Sequence, residues 1–294
     1  MTESVRPRRS VLYMPGSNAR ALDKAKTLPA DGLILDLEDA VAPDAKAVAR
    51  EQVCAAVKGG GYGGRELVIR TNGLDTPWGE DDVTAAAAAG PDAVLVPKVE
   101  SAAQVKAVEA LLDRSGAPKR TAIWCMMETP LGILHAEEIA ASSPRVAVLV
   151  MGTSDLTKDL HAKHTALRLP MLAALGHCLL AARAYGRVIL DGVHLDLADE
   201  AGFVEACRQG LELGFDGKTL IHPKQVEPCN AIFAPSPDEV EDARKIIAAF
   251  EAAAAAGKGV VLVDGKLIEN LHVENAKRMV ALADAIHRLH GAAA

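Results

Sequence analysis

Short apolar runs recur along the first three quarters of the chain, and each stops abruptly on charged, hydroxyl or glycine residues. They read "SVLYMPG", "GLILDLED", "LVIRTNG", "AVLVPKV", "AIWCMME", "VAVLVMG", "RVILDGVHL" and "KTLIHP". Rich in Val, Ile and Leu and without strict alternation, they have the pattern of strands buried on both faces. Helix-like stretches lie between them. "NARALDKAKTL" is capped by Ser17 or Asn18, "DAKAVAREQVCAAVK" by Asp44, and "SAAQVKAVEALLDRS" by Ser101. Strands alternating with helices at a mean spacing of about 30 residues predict an α/β fold, a parallel eightfold (β/α) barrel of the TIM type. An open doubly wound sheet is the rival, but no G-x-G-x-x-G opens a helix after a strand, which disfavours its dinucleotide-binding version.

Beyond "IHPKQ" the pattern changes. "SPDEVEDARKIIAAFEAAAAAGKG" reads as a long helix ended by Gly257 and Gly259. "VVLVDGKLIEN" carries a central Asp-Gly between extended halves, a hairpin signal, and "VENAKRMVALADAIHRLHG" is a final helix. The expected organisation is a barrel over residues 1–230 and a helix–hairpin–helix extension over 231–294.

Composition narrows the class. Half of the 294 residues are hydrophobic, a quarter are charged and only 3% are aromatic, so a globular core of Ala, Val, Leu and Ile is expected. A net charge of −7 argues against general nucleic-acid binding but leaves room for a local basic patch that holds an anionic ligand. No apolar run approaches the roughly 20 residues of a membrane helix. The opening "MTESVRPRRS" lacks a signal-peptide core, and the five cysteines are scattered. A reduced, cytoplasmic protein is expected.

In such barrels functional groups gather on the loops after the C-terminal ends of the strands, which gives the charged strand ends a common destination. Glu128 and Asp155 end the fifth and sixth strands, and carboxylates on neighbouring strands can converge on one hard cation such as magnesium. Alternatively, Glu128 caps the segment after it and Asp155 caps the helix "LTKDLHA". No Cys/His cluster suggests zinc. Asp36 and Glu38, two apart, share a face if their strand persists, while Asp39 points elsewhere. Arg70, ending the adjacent strand, is their natural partner, as a substrate-binding fork or as a structural bridge. Lys98 is a candidate imine-forming lysine, although the surrounding carboxylates make an imine unnecessary. His194 and His222 end the last two strands and either line the pocket or are structural.

With these residues assembled, the sequence resembles the citrate lyase beta-subunit family of acyl-CoA lyases, which includes malyl-CoA and citramalyl-CoA lyases within the HpcH/HpaI aldolases. The resemblance runs through "RRSVLYMPGSNARALDKA", "DGLILDLEDAVAPDAK", "VIRTNG", "PKVES", "METPLGI", "GTSDL", "DGKTLIHPKQ" and "GKGVVLVDGKLIE". It implies an eightfold barrel whose C-terminal segment packs over a neighbouring subunit, and hence a homotrimer or homohexamer. It implies Glu128 and Asp155 as magnesium ligands, Arg70 as the substrate arginine, and Asp36, Glu38 and Asp39 as acidity around metal-bound water. The implied reaction is reversible carbon–carbon cleavage of a 3-hydroxyacyl-CoA into a 2-oxo acid and an acyl-CoA. Arg9, Arg20, Lys24 and Lys46 are candidate partners for the CoA phosphates.

One block departs from the family. The lyases carry an aspartate that reaches the neighbour's active site, and "GKLIEN" puts Glu269 there. Glutamate can still act as a base, but one extra methylene can misplace it. Three further readings therefore stay open: a malyl-CoA thioesterase, a CoA-independent pyruvate-type aldolase, and a non-catalytic subunit that binds CoA esters or a carrier.

Overall fold

A computed structural model describes residues 5–291. Eight parallel strands form the closed barrel that the apolar runs predict. In chain order these are β1 (Ser10–Pro15), β2 (Gly32–Asp36), β3 (Glu66–Arg70), β4 (Ala93–Val96), β5 (Ala122–Met127), β6 (Val146–Met151), β7 (Val188–Asp191) and β8 (Gly217–Leu220). Each pairs with the next, and β8 returns to β1 with Lys218 opposite Ser10. Helices α1 (Ala19–Lys24), α2 (Lys46–Gly59), α3 (Gly79–Ala89) and α4 (Ala102–Arg114) follow the first four strands. Two short helices, α5 (Pro130–Leu134) and α6 (Ala136–Ala141), follow β5. Next come α7 (Thr153–Asp159), α8 (Leu172–Ala184), α9 (Glu200–Leu213) and α10 (Val226–Phe233).

Strand side chains alternate between two apolar compartments. Val11, Ile34, Val68, Leu95, Trp124, Met126, Val150 and Leu190 fill the lumen. Their neighbours, among them Leu12, Leu33, Ile69, Val94, Cys125, Leu149 and Ile189, pack in the other cluster with the helices. This parity decides which residues reach the mouth. Asp36, Arg70 and Glu128 continue the lumen face of β2, β3 and β5, whereas Asp191 and Lys218 belong to the outer face.

The helix starts follow local chemistry. Asn18 caps α1, its Oδ1 accepting from Ala21 N at 3.1 Å, and Ser101 with Gln104 forms a capping box on α4. Asp44 does not cap α2. Pro43–Ala45 form a 3-10 turn that leads into the helix, so Asp44 lies within that turn rather than at the cap position. "GLILDLED" also stops short of its expected end. The Asp36 carboxylate accepts from Glu38 N (2.9 Å) and Ala40 N (3.0 Å), folding the chain into a turn at that point.

The chain divides into two compact units, Arg8–Phe233 with the barrel and a second one containing Ala234 onward. In the second, α11 (Pro237–Ala255) opens on a Ser236–Glu239 capping box. The hairpin β9 (Val261–Val263) and β10 (Lys266–Ile268) turns at Asp264 and Gly265, both with positive φ, as the Asp-Gly pair predicts. Helix α12 (Asn270–Gly291) packs along α11, with Arg244–Asp284 at 3.2 Å and Lys277–Glu251 at 3.7 Å. Among the described residues no helix is long and apolar enough to cross a membrane, and all five cysteines are free thiols.

Candidate functional site

The Arg70 fork closes on Asp36 across β3 and β2, with Nε–Oδ1 and Nη2–Oδ2 both at 2.6 Å. Strand register makes this contact possible, because Asp36 and Arg70 are directly paired. The Arg70 Nη1 also lies 2.6 Å from Glu38 Oε2 and 3.5 Å from Asp39 Oδ2, and the Tyr13 ring covers the guanidinium at 4.9 Å. Burial opposes the charge on Arg70, but the Asp36 hydrogen bonds and charge outweigh it and hold the group protonated. A guanidinium has five N–H donors, so these four carboxylate contacts leave capacity for a ligand oxygen.

Glu38 and Asp39 are adjacent but unlike. Glu38 is buried between Arg70 and the Lys98 ammonium (3.2 Å), and burial, aided by the Asp39 charge, pushes its carboxyl up. Burial opposes the Asp39 charge too, but the Glu38 hydrogen bond and Arg70 outweigh it and hold that carboxyl low. The Asp39 side chain is 63% exposed, which makes it the accessible carboxylate of the pair.

Lys98 serves through its backbone. It is a non-glycine residue with φ +46°, a conformation that costs about 1 kcal/mol or more and persists only where its surroundings demand it. Here the turn aims Lys98 N at Glu128 Oε1 (2.8 Å) while Nζ reaches Glu38. An imine role would have to break that ion pair.

Glu128 is 2% exposed. Its carboxyl is pushed up to about 7, first by burial and then by the charges of Glu38 and Asp155, against the Lys98 hydrogen bond. Gly152 packs so closely on Glu128 that a Cβ there would collide with it. Asp155 enters in the first turn of α7, half-buried, with Lys158 Nζ at 3.6 Å. A cavity of about 360 Å3 at the mouth is lined by Tyr13, Asp36, Asp39, Arg70, Glu128 and Asp155, with Val193, Leu195 and Ile221 as an apolar wall. The Ser154 hydroxyl, also on the lining, is buried without a partner.

This donor set fits magnesium, which takes one or two protein carboxylates and fills its shell with water and substrate oxygens. Two carboxylates face one cavity, and mutual repulsion raises the cost of the buried charge on Glu128 until a cation offsets it. Among the described residues no group of three His, Cys, Asp or Glu could hold a metal, so an all-protein cage of the zinc kind is absent.

Other expected residues lie elsewhere. Arg9 precedes β1, at the opposite end of the barrel from the mouth, and its guanidinium is bound to Asp31 at 2.8 and 2.9 Å. It does not serve a ligand at the mouth. Lys46 is likewise committed, donating to Leu37 O, Glu38 O and Asn72 Oδ1 at 2.7–2.8 Å, and so pins the β2 turn. Arg20 and Lys24 are exposed on α1 and do not line the cavity. The His222 ring accepts from Lys224 N at 3.1 Å, and His194 Nε2 is buried without a hydrogen bond, 3.8 Å from Asp199. Glu269 follows β10 in the C-terminal unit and is exposed. Tyr13 escaped the sequence reading. Its signal was an aromatic near the end of the first strand in a chain with very few aromatics.

Over 97% of this chain and 98% of its own length, a (3S)-malyl-CoA thioesterase of Cereibacter sphaeroides is 51% identical. An L-malyl-CoA/beta-methylmalyl-CoA lyase of the same organism is 37% identical over 96% of each chain. Among solved structures, the protein CitE of Mycobacterium tuberculosis in complex with magnesium, acetoacetate and coenzyme A superposes with a TM-score of 0.74. It is 29% identical, covering 94% of this chain and 97% of its own. The model of the HpcH/HpaI aldolase/citrate lyase family matches residues 9–223, and the chain belongs to that family.

Proposed function

We propose that the protein is a magnesium-dependent hydrolase of a short hydroxydicarboxylic acyl-CoA of the malyl-CoA class, releasing the free acid and CoA. The reading is carried by the convergence of the held Arg70 fork with Glu128 and Asp155 on one cavity. The choice of hydrolysis over cleavage is supported by the 51% identity to a (3S)-malyl-CoA thioesterase.

Glu128 and Asp155 would hold the magnesium, which when bound supplies Lewis-acid polarisation of substrate oxygens. Arg70, fixed by Asp36 and Tyr13, donates to the thioester oxygen as negative charge develops there. Asp39 takes a proton from the attacking water. The new C–O bond forms, the C–S bond breaks, and the proton passes to the departing CoA sulfur. Arg20 and Lys24, on the helix that leaves the mouth end of β1, are the proposed contacts for the CoA phosphates.

Carbon–carbon cleavage is the second reading, favoured by 37% identity to an L-malyl-CoA/beta-methylmalyl-CoA lyase over nearly the full chain. Glu269 in place of the family aspartate weighs against it, since a base one methylene out of place loses rate steeply.

Thioester loss should be followed for malyl-, methylmalyl- and citramalyl-CoA, before and after EDTA and with magnesium restored. The expected result is magnesium-dependent loss with malyl-CoA preferred. Inertness towards all three would support a non-catalytic or CoA-independent role, and full activity in EDTA would remove the metal.

A further inference from the structure

Tyr13 occupies the inner face of β1, packed against the lumen cluster. The register shows its depth. Pro15 pairs with Asp36 and Asp36 with Arg70, whereas Tyr13 pairs with Ile34, one lumen layer below that charged level. Met126 is likewise one lumen layer below Glu128. Tyr13 and Met126 thus form part of the cavity floor. The Tyr13 hydroxyl donates to Met126 Sδ at 3.4 Å, and a thioether is a weak acceptor. In a site crowded with charged oxygens, this phenol is left with a thioether. Burial, with the charges of Asp36, Glu128 and Glu38, pushes its ionisation far above the usual range despite Arg70, so it remains a proton donor.

We propose that Tyr13 is a substrate-binding residue whose hydroxyl donates to the carboxylate at the far end of the acyl group, exchanging the Met126 thioether for a charged oxygen. The inference rests on the acyl-CoA reading above. A cavity of about 360 Å3 admits a short acyl group but not the nucleotide of CoA, so the acyl end enters first. The carboxylate remote from the thioester then travels deepest and meets the floor. The Arg70 donors lie one layer higher, where the thioester oxygen sits. Tyr13 therefore selects acyl groups that end in a carboxylate.

Tyr13→Phe keeps the ring over Arg70 and removes one oxygen. Calorimetric titration of malate in the presence of magnesium should show an affinity about tenfold lower in the variant, as for loss of a hydrogen bond to a charged group. CoA affinity should be unchanged, and KM for malyl-CoA should rise with little change in kcat. Equal malate affinity in the two proteins would overturn the assignment, as would equal weakening of malate and CoA, which marks a structural role. Failure of the wild type to bind malate would also overturn it. A wild type that binds malate through Tyr13 but leaves malyl-CoA intact would overturn the hydrolase reading alone.

Discussion

Arg70 and Asp36 face each other on adjacent strands, joined by two parallel bonds of 2.6 Å. Asp36 also accepts the amides of Glu38 and Ala40, so one carboxylate fixes both the arginine and the turn that carries the acidic pair. Arg70→Lys retains the charge but loses the fork. Because the pair is buried, stability in urea should fall by about 3 kcal/mol, and kcat should drop at least tenfold if the same group faces the thioester oxygen. Lost stability with normal turnover per folded molecule would make the pair purely structural.

Glu128 is expected to behave differently. Glu128→Gln keeps the acceptor for Lys98 N and removes a buried charge that Glu38 and Asp155 disfavour. The metal-free variant should melt no lower than the wild type. Millimolar magnesium should raise the wild-type melting temperature by mass action and leave the variant unmoved. An equal magnesium shift in both would remove Glu128 from the metal site.

A second charged network, on the outer face of the barrel, sets an acid-stability expectation. Asp191 is fully buried and bonded to Lys218 Nζ at 2.8 Å and Arg168 Nη1 at 2.7 Å. Burial opposes its charge, but Lys218 and Arg168 outweigh that and hold the carboxyl below the usual range. A depressed folded pKa gives stability that is complete above the unfolded value of about 3.9 and is lost as pH falls through the folded one. Urea unfolding of Asp191→Asn should therefore show a deficit at pH 7 that shrinks below about pH 4. A deficit independent of pH would mean that packing, not charge, is what Asp191 supplies.

Much of this was legible because the signals were periodic. All eight apolar runs became strands, and the Asp-Gly dipeptide turned the hairpin. The strand-end charges reached the mouth where parity carried them, as for Arg70 and Glu128. What the sequence hid was direction and depth. Arg9 and Arg20 look alike in a linear reading, yet one precedes β1 and the other follows it, which places them at opposite ends of the barrel. The left-handed turn at Lys98 leaves no trace in "VPKVES", although it orients Glu128. Asp191 ends its strand much as Asp36 does, yet Leu190 fills the lumen and so Asp191 turns outward to Lys218.

The C-terminal unit bears on assembly. Glu269, exposed just after its hairpin, is proposed to complete the site of a neighbouring subunit in a trimer or hexamer. If Glu269 holds the water that Asp39 deprotonates, Glu269→Gln and Glu128→Gln should each be inactive alone. Mixed under conditions where subunit exchange is demonstrated, they should regain partial activity, because some sites then hold both carboxylates. Dead mixed oligomers, or a fully active Glu269→Gln protein, would exclude the shared site.

The central claim is tested most directly by the fate of (3S)-malyl-CoA in 18O-labelled water with magnesium. The expected result is malate carrying one labelled carboxylate oxygen, with free CoA thiol appearing at the same rate and no glyoxylate. Glyoxylate and acetyl-CoA formed as fast as malyl-CoA disappears, with no labelled malate, would contradict hydrolysis and establish carbon–carbon cleavage instead.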